Sequence, residues 1–309
     1  MCSLYGLIDV HGSLPARVKK KILRELGTAC ECRGTDATGI AYNSGGRLRI
    51  YKKPVPAHQL RLRIPDDARV IMGHTRMTTQ GCASYIPNDH PFPGHTRAGD
   101  FALAHNGVIW NDKLLRARWN LPRTQIETDS YIGVQLIEQQ KALDFSSLRY
   151  MAEQVEGSFT FTVLDSHNKL YFIKGDNPLC IYHWPGLGVY LYASTEEILR
   201  QTLRRLPIPD HGFQAIKPDC GEILSIDAKG KLTQSSFNAE NLLMDYCCSP
   251  WWYSQRKATA PKKSADTTYL DDLKMVASAF GYDSRAIDRL VAMGFAPEEI
   301  EEFLYDGEL

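Results

Sequence analysis

No run of apolar residues in this 309-residue sequence approaches the ~20 that a bilayer-spanning helix needs, so a membrane span is not expected. Net charge is lacking too. The 36 Lys and Arg cancel the 36 Asp and Glu, which leaves no global field to draw the chain to nucleic acid or to an anionic membrane. The start has no basic stretch followed by an apolar core, so no secretory leader is expected and the cytoplasm is the expected compartment. Eight cysteines are present without a spaced CxxC pair; Cys30 and Cys32 are too close for a usual zinc pair, and Cys247 and Cys248 are adjacent. Reduced thiols, with neither structural zinc nor a disulfide framework, are the reading that follows. The longest basic cluster, residues 17–21 with Lys19, Lys20 and Lys21, reads as the solvated face of a helix.

What is there is ordinary globular composition, long enough for one large domain and a small one. Short apolar runs bounded by Gly, Asp, Asn or Pro predict strands over residues 4–10, 69–72, 101–104, 158–164, 170–173, 188–193 and 222–226. Turn chemistry at residues 165–168 (DSHN), 186–188 (GLG) and 227–230 (DAKG) predicts tight links between strands. Helical spacing predicts helices over 14–26, 128–141, 148–155 and 196–203. Runs of strands with helices between the runs argue for an α+β fold with antiparallel sheets.

Composition changes after about residue 245. Residues 246–266 read as a polar linker containing KATAPKK, and residues 267–309 as a small helical module. Gly281-Tyr282 followed by Ile287 and Leu290, and Gly294-Phe295 followed by Ile300 and Phe303, form a weak internal repeat that predicts two similar amphipathic helices.

Cys2 follows the initiator Met, and removal of Met1 makes it the first residue. A thiol there has a base of its own in the α-amine, with an ordinary pKa of about 7.7–8, so no catalytic histidine is required. The strand predicted directly after it ties this terminus into a sheet.

Four further segments follow in order: residues 33–39 (RGTDATG), 73–81 (GHTRMTTQG), 105–111 (HNGVIWN) and 128–130 (TDS). Behind an N-terminal Cys, this set resembles the RGxDSxG, GHTRWATHG, HNGIIEN and S/T-D-T/S segments of the class II glutamine amidotransferases, over roughly residues 2–230. The resemblance implies an αββα sandwich of two antiparallel sheets, the N-terminal nucleophile hydrolase fold, with a domain over residues 2–245 and no cofactor or metal. It implies that Cys2 attacks the side-chain amide of L-glutamine and that Asn106 and Gly107 form the oxyanion hole. It implies that Arg76, Thr79 and Asp129 bind substrate, Arg76 at the α-carboxylate and Asp129 at the α-ammonium. Gly94-His-Thr-Arg97 repeats the string around Arg76, but Arg76 alone is followed by the Thr and Gly of the pattern, so Arg97 reads as a surface residue. His74, His90 and His105 read as structural, Asn111 as a turn residue, and Asp36 equally as a turn cap or as the residue that orders a loop at the site. Ser3, Met77, Gln80 and Tyr131 depart from the pattern without removing a group the chemistry needs.

Three functions stay open at this point. One is a glutamine amidohydrolase that passes ammonia to a separate synthase docked on the helical tail, with Trp251, Trp252 and Tyr253 beside the linker as anchors. Another is a hydrolase of a different γ-glutamyl or amide substrate. The third is a catalytically silent binding relative.

Overall fold

The computed structural model describes residues 2–242, 273, 274, 277, 284–292 and 300. The chain divides into two units, Met1–Tyr246 and Cys247–Leu309. The first runs β1 (Ser3–Asp9), α1 (Ala16–Cys30), β2 (Ala37–Ser44), β3 (Arg47–Lys53), β4 (Val70–Arg76), β5 (Phe92–Thr96), β6 (Gly99–Ile109), α2 (Asp112–Arg118) and α3 (Tyr131–Gln140). It continues with α4 (Phe145–Gln154), β7 (Gly157–Asp165), β8 (Leu170–Lys174), β9 (Cys180–Trp184), β10 (Val189–Ala193), α5 (Glu196–Leu203), β11 (Gln214–Ile216), β12 (Glu222–Ile226) and β13 (Leu232–Ser236).

The strands form a seven-stranded sheet in the order β11-β9-β10-β1-β4-β2-β3 and a six-stranded sheet in the order β13-β12-β8-β7-β6-β5. All neighbouring pairs are antiparallel. The pleat of β1 shows why the sheets are stacked. Tyr5 and Leu7 face α1 and α5 with Ile22, Leu26 and Leu199, while Leu4 and Ile8 face the other sheet at Ala102, Ala104 and Phe172. β6 repeats the device: Ala102 and Ala104 point between the sheets, and Phe101 and Leu103 meet α3 and α4 at Ile132, Leu136 and Leu148. A strand buried on both faces cannot alternate apolar with polar, so these segments read as continuous apolar runs. The result is three apolar layers between four structural ones, the αββα sandwich of the α+β class.

Sequence reading missed β2, β3, β5, β9, β11, β13 and α2. β3 (RLRIYKK) is an edge strand with its first residues alternately exposed and half-buried, and its charges hide the pattern. β5 contains Pro93 and Gly94 and is tolerated at the other sheet's edge, where a missing N–H costs little. The helix expected over 14–26 starts at Ala16, because Pro15 holds extended backbone as its N-cap.

One expectation is corrected. Lys20 and Lys21 are exposed, but Lys19 is fully buried. Its Nζ donates to the carbonyls of Asp66 and Ala68 at 2.9 Å each and pairs with Asp9 at 3.3 Å. Those acceptors come from the loop before β4 and the end of β1, so the spacing of charges within α1 carried no sign of them.

In the second unit, α6 (Ser284–Ala292) buries Ile287 and exposes Asp288, Arg289 and Val291. Lys274 Nζ lies 2.6 Å from Asp288 Oδ1. The expected linker, Trp251, Trp252 and Tyr253, and the Gly281-Tyr282 and Gly294-Phe295 turns lie outside the described residues. Among the described residues no helix is long and apolar enough to cross a membrane.

Candidate active site

β1 is a central strand, held on one side by β4 (Ser3 opposite Thr75) and on the other by β10. Leu4 N donates to Ser194 Oγ at 2.8 Å, and Ser194 N donates back to the Leu4 carbonyl at 2.9 Å. The chain start is thereby fixed in the sheet. Arg33 Nε donates to the Cys2 carbonyl at 3.0 Å and adds a second anchor. Ser3 is fully buried, with its hydroxyl donating to Cys30 Sγ at 3.2 Å on the α1 side. The pleat, continued one residue further, turns Cys2 toward the side of Leu4, between the sheets.

The Cys2 thiol lies 3.5 Å from the Met77 carbonyl in the loop leaving β4. Burial pushes the thiol up from its ordinary value; the Arg76 charge pulls it back and Asp129 adds to the rise. Arg76 and Asp129 thus share one electrostatic environment with the thiol, although they lie far apart in the sequence. A raised thiol stays protonated at neutral pH, so its use as a nucleophile demands a proton acceptor.

Arg76 ends β4 and is buried. Its NH1 donates to Asp89 Oδ1 at 2.9 Å and its NH2 to the Gln80 carbonyl at 2.7 Å. A Cβ on Gly34 would come within 2.5 Å of the Arg76 carbonyl carbon, so the glycine is there for close approach. Asp36 accepts from Thr78 N at 2.7 Å, and its own N–H donates to the Arg76 carbonyl at 3.0 Å. Of the two roles open to Asp36, it takes that of ordering the loop beside Cys2. Thr79 is exposed on this loop and makes no hydrogen bond among the described residues.

Across the interior β6 lies against β1. Asn106 is fully buried, and neither its Nδ2 nor its Oδ1 has a hydrogen-bond partner among the described residues. A buried amide left in that state costs about 1–3 kcal/mol, which folding alone does not reward. Gly107 has φ +145°, and a Cβ there would meet the Ser158 carbonyl oxygen at 1.9 Å. Asp129, just before α3, accepts from Ile109 N at 2.6 Å and from Ser130 Oγ at 3.2 Å, which fixes its carboxylate against the end of β6.

Three histidines pack behind the site. His74 Nε2 donates to the His105 carbonyl at 2.9 Å and bridges the two sheets. Burial pushes the His74 imidazole down to about 3, and it also pushes His90 well below and His105 below their ordinary values. The His90 ring packs in tilted contact with His74, centroids 4.1 Å apart, and with Phe92 at 4.3 Å. His105 Nδ1 lies 2.8 Å from Ser130 Oγ. Neutral rings held in this way act as packing groups, and His74 and His105 also hydrogen-bond, whereas neither nitrogen of His90 has a partner among the described residues. Arg97 is exposed in the β5–β6 turn. Asn111 donates to the Gln154 carbonyl at 2.9 Å and accepts from Glu156 N at 3.0 Å.

Two residues at this site had no assigned role in the sequence reading. Arg33 lay inside a quoted motif, and Asp89 inside Asn88-Asp-His-Pro91, where only the histidine drew notice. Neither contact, Arg33 to the Cys2 carbonyl or Asp89 to the Arg76 guanidinium, has a signal in the sequence, because each joins segments that only the fold brings together. A cavity of about 710 Å³ between β3 and β5, walled by Leu48, Ile50 and Phe101, contains none of Cys2, Arg76, Thr79, Asn106, Gly107 or Asp129.

Residues 76–201 match the family model of a glutamine amidotransferase domain, a span that includes Arg76, Asn106, Gly107 and Asp129 but not Cys2. The isomerizing glutamine–fructose-6-phosphate aminotransferase of Staphylococcus epidermidis is 29% identical over 251 residues, which cover 78% of this chain and 40% of that protein. The enzyme of the same name from Sulfurisphaera tokodaii is 30% identical over 233 residues, covering 71% of this chain and 38% of that protein. The chain therefore spans about two fifths of the length of these relatives. Among solved structures, the allosteric regulatory enzyme of purine biosynthesis superposes with a TM-score of 0.63 at 18% identity, over 90% of this chain and 58% of that one. Glutamine phosphoribosylpyrophosphate amidotransferase from B. subtilis gives 0.59 at 17% identity, over the same shares of 90% and 58%. At such low identity these two structures speak to the fold.

Proposed function

Because the chain carries a class II glutamine amidotransferase domain, we propose that it hydrolyses the side-chain amide of L-glutamine at Cys2 and hands the ammonia to a separate acceptor-using partner. The observation that carries this reading is the buried Asn106 amide with no partner of its own, on a strand packed against the one that begins beside Cys2. In the reaction the α-amine freed by loss of Met1 takes the thiol proton, and Sγ attacks the amide carbon. The tetrahedral oxyanion is held by Asn106 Nδ2 and the Gly107 N–H. Donors fixed in advance on developing charge are each worth ~2.7–4 kcal/mol. Collapse breaks the C–N bond, the amine returns the proton to the leaving nitrogen, and ammonia departs from a γ-glutamyl thioester. Water, deprotonated by the same amine, then releases glutamate and the free thiol.

Arg76 reads the α-carboxylate and Asp129 the α-ammonium, so the free amino-acid end selects glutamine over a side chain within a protein. Thr79, on the loop that Asp36 orders, closes over the substrate. Residues 2–245 are the amidotransferase domain, 246–266 the linker, and 267–309 the docking module for the partner. The amphipathic character of α6, with Ile287 buried and Asp288 and Arg289 exposed, supports a docking element. The names of the relatives couple glutamine to an acceptor, fructose 6-phosphate, which supports transfer of the nitrogen onward.

The test is intact mass of the purified protein before and after 6-diazo-5-oxo-L-norleucine, with a Cys2→Ala control. Loss of Met1 and one adduct that needs Cys2 are expected. A processed chain that takes no adduct refutes glutamine recognition by this thiol.

A further inference from the structure

Among the described residues nine large apolar side chains are exposed, and four of them, Val108, Trp110, Leu114 and Trp119, fall in one stretch from the end of β6 through α2. The register of β6 against β7 is unbroken from Phe101 to Ile109, so alternate residues share a face. The row of Ala102 and Ala104 between the sheets therefore continues through Asn106 to Val108. Asn106 is fully buried, Val108 is 37% exposed, and Trp110, two residues further along, is 61% exposed. Trp110 N donates to the Glu156 carbonyl at 2.9 Å, which holds the residue at the strand end. The row thus runs from the interior, past the candidate oxyanion donor, into solvent. Leu114, 62% exposed, stands on the first turn of α2, with Arg118 one turn further along the same face. Position 110 is Glu in the motif that residues 105–111 resemble, so the chemistry of that motif does not call for an aromatic there. Packing does not call for it either, since Trp110 leaves most of its surface in water.

The same stretch departs from the neutrality of the whole chain. Residues 108–123 hold Lys113, Arg116, Arg118 and Arg123 against a single acid, Asp112. Asp112 is buried and pairs with Arg116 at 3.6 Å, which leaves the charges of Lys113, Arg118 and Arg123, all exposed, uncompensated within the segment. Glu156 is the exposed acid that the neighbouring chain brings to Trp110. Apolar side chains grouped on a surface mark interaction sites, and aromatic residues and Arg are what protein interfaces concentrate. From this geometry we infer that Val108, Trp110 and Leu114, bordered by Lys113, Arg118 and Arg123, form the docking face for the ammonia-using partner, and that the partner presents an apolar socket rimmed by Asp and Glu. The inference rests on the reading that ammonia passes to a separate polypeptide, and it adds a contact on the amidotransferase domain itself. A second copy of this chain does not suit the face. A two-fold contact would bring Lys113, Arg118 and Arg123 against their own equivalents, and like charges across an interface repel. A partner seated on Val108 and Trp110 closes the solvent end of the row that passes through Asn106.

The experiment puts the photocrosslinker p-benzoylphenylalanine in place of Trp110 or of Leu114 in the full chain, in the cell that makes it. Leu187 is the control position: it is 42% exposed in the β9–β10 turn, at the Asp9 end of β1 and away from Cys2. One polypeptide is expected to crosslink from positions 110 and 114 and not from 187; mass spectrometry identifies it, and it is then purified. It is expected to raise glutamine turnover by the unaltered protein and to consume the ammonia. Trp110→Ala is expected to weaken its binding about 30-fold, as loss of an interface anchor does, while turnover without the partner stays unchanged. Lys113→Glu with Arg118→Glu is expected to slow association about tenfold and to flatten its dependence on salt. All three side chains are exposed, so thermal melts of both variants are expected to match the unaltered protein. No crosslink, or crosslinks only to this chain or to nucleic acid, overturns the inference; glutamine turnover by the chain alone is read separately and reports on the hydrolysis. A partner that raises turnover but is indifferent to both variants overturns this face and leaves ammonia transfer standing. A crosslinked polypeptide that neither raises turnover nor consumes ammonia overturns the inference as well.

Discussion

Asn106→Ala separates a catalytic role from a structural one, because the two make opposite demands on stability. The side chain is fully buried and neither Nδ2 nor Oδ1 has a partner among the described residues. Removing it relieves an unsatisfied amide worth about 1–3 kcal/mol. It leaves a cavity smaller than a side-chain amide, which at about 24 cal/mol per Å³ costs about 1 kcal/mol. The balance is near zero or favourable. For a domain of this size, 1 kcal/mol moves Tm by about 2–4 °C, so Tm is expected to hold or rise slightly. The effect on turnover is different. Loss of one oxyanion donor removes ~2.7–4 kcal/mol from the transition state alone, a fall in kcat of about 10²–10³ with little change in KM. Calorimetric or circular-dichroism melts give the first quantity, and steady-state glutamate release from glutamine gives the second. A Tm lowered by more than about 5 °C shows that Asn106 supports the fold through contacts the geometry does not contain. A kcat reduced less than about tenfold shows that it is not an oxyanion donor.

The remaining predictions concern backbone and protonation. Gly107→Ala places a Cβ 1.9 Å from the Ser158 carbonyl oxygen at φ +145° and is expected to destabilise by more than ~3 kcal/mol. Gly45→Ala in the β2–β3 turn, at φ +58° with nothing within 4 Å, is expected to cost only ~1 kcal/mol, so equal losses in denaturant melts would undo the steric argument. Acid is expected to destabilise the first unit through its histidines. His74 is neutral in the folded state down to about 3, whereas the unfolded chain takes the proton near the ordinary value of 6.5. The unfolded state therefore binds more protons below that value, and the stability His74 contributes is intact above about 6.5 and lost as pH falls toward 3. Between pH 7 and 5 this amounts to ~2 kcal/mol, and His90 and His105 act in the same direction. Urea titrations at the two pH values measure it, and a flat profile would show that the buried rings take up protons.

Much of the architecture was readable in one dimension, because strands buried on both faces are continuous apolar runs. The segments that became β1, β7, β8 and β12 carry Leu, Ile, Val and Phe between turn residues, and the turn of 165–168 closes on Asn168 at φ +62°. Edge strands were not readable in this way: β3 has its charges on a half-exposed ladder, and β5 uses Pro93 and Gly94 where only an edge forgives them. Lys19 looked like its solvated neighbours because its partners, Asp9, Asp66 and Ala68, are brought up by other elements.

The same division runs through the candidate site. From the sequence alone one could read which candidate groups the chain offers: a thiol next to an initiator Met, an Asn-Gly pair, and an Arg and an Asp in ordered motifs, since these depend on residue type and spacing along the chain. What surrounds those groups was set by the fold. It withheld hydrogen-bond partners from Asn106, raised the Cys2 thiol, silenced three histidines and set Asp89 against Arg76. Burial and charge pairing are sums over neighbours from several strands and loops, and no local pattern of residues contains that sum.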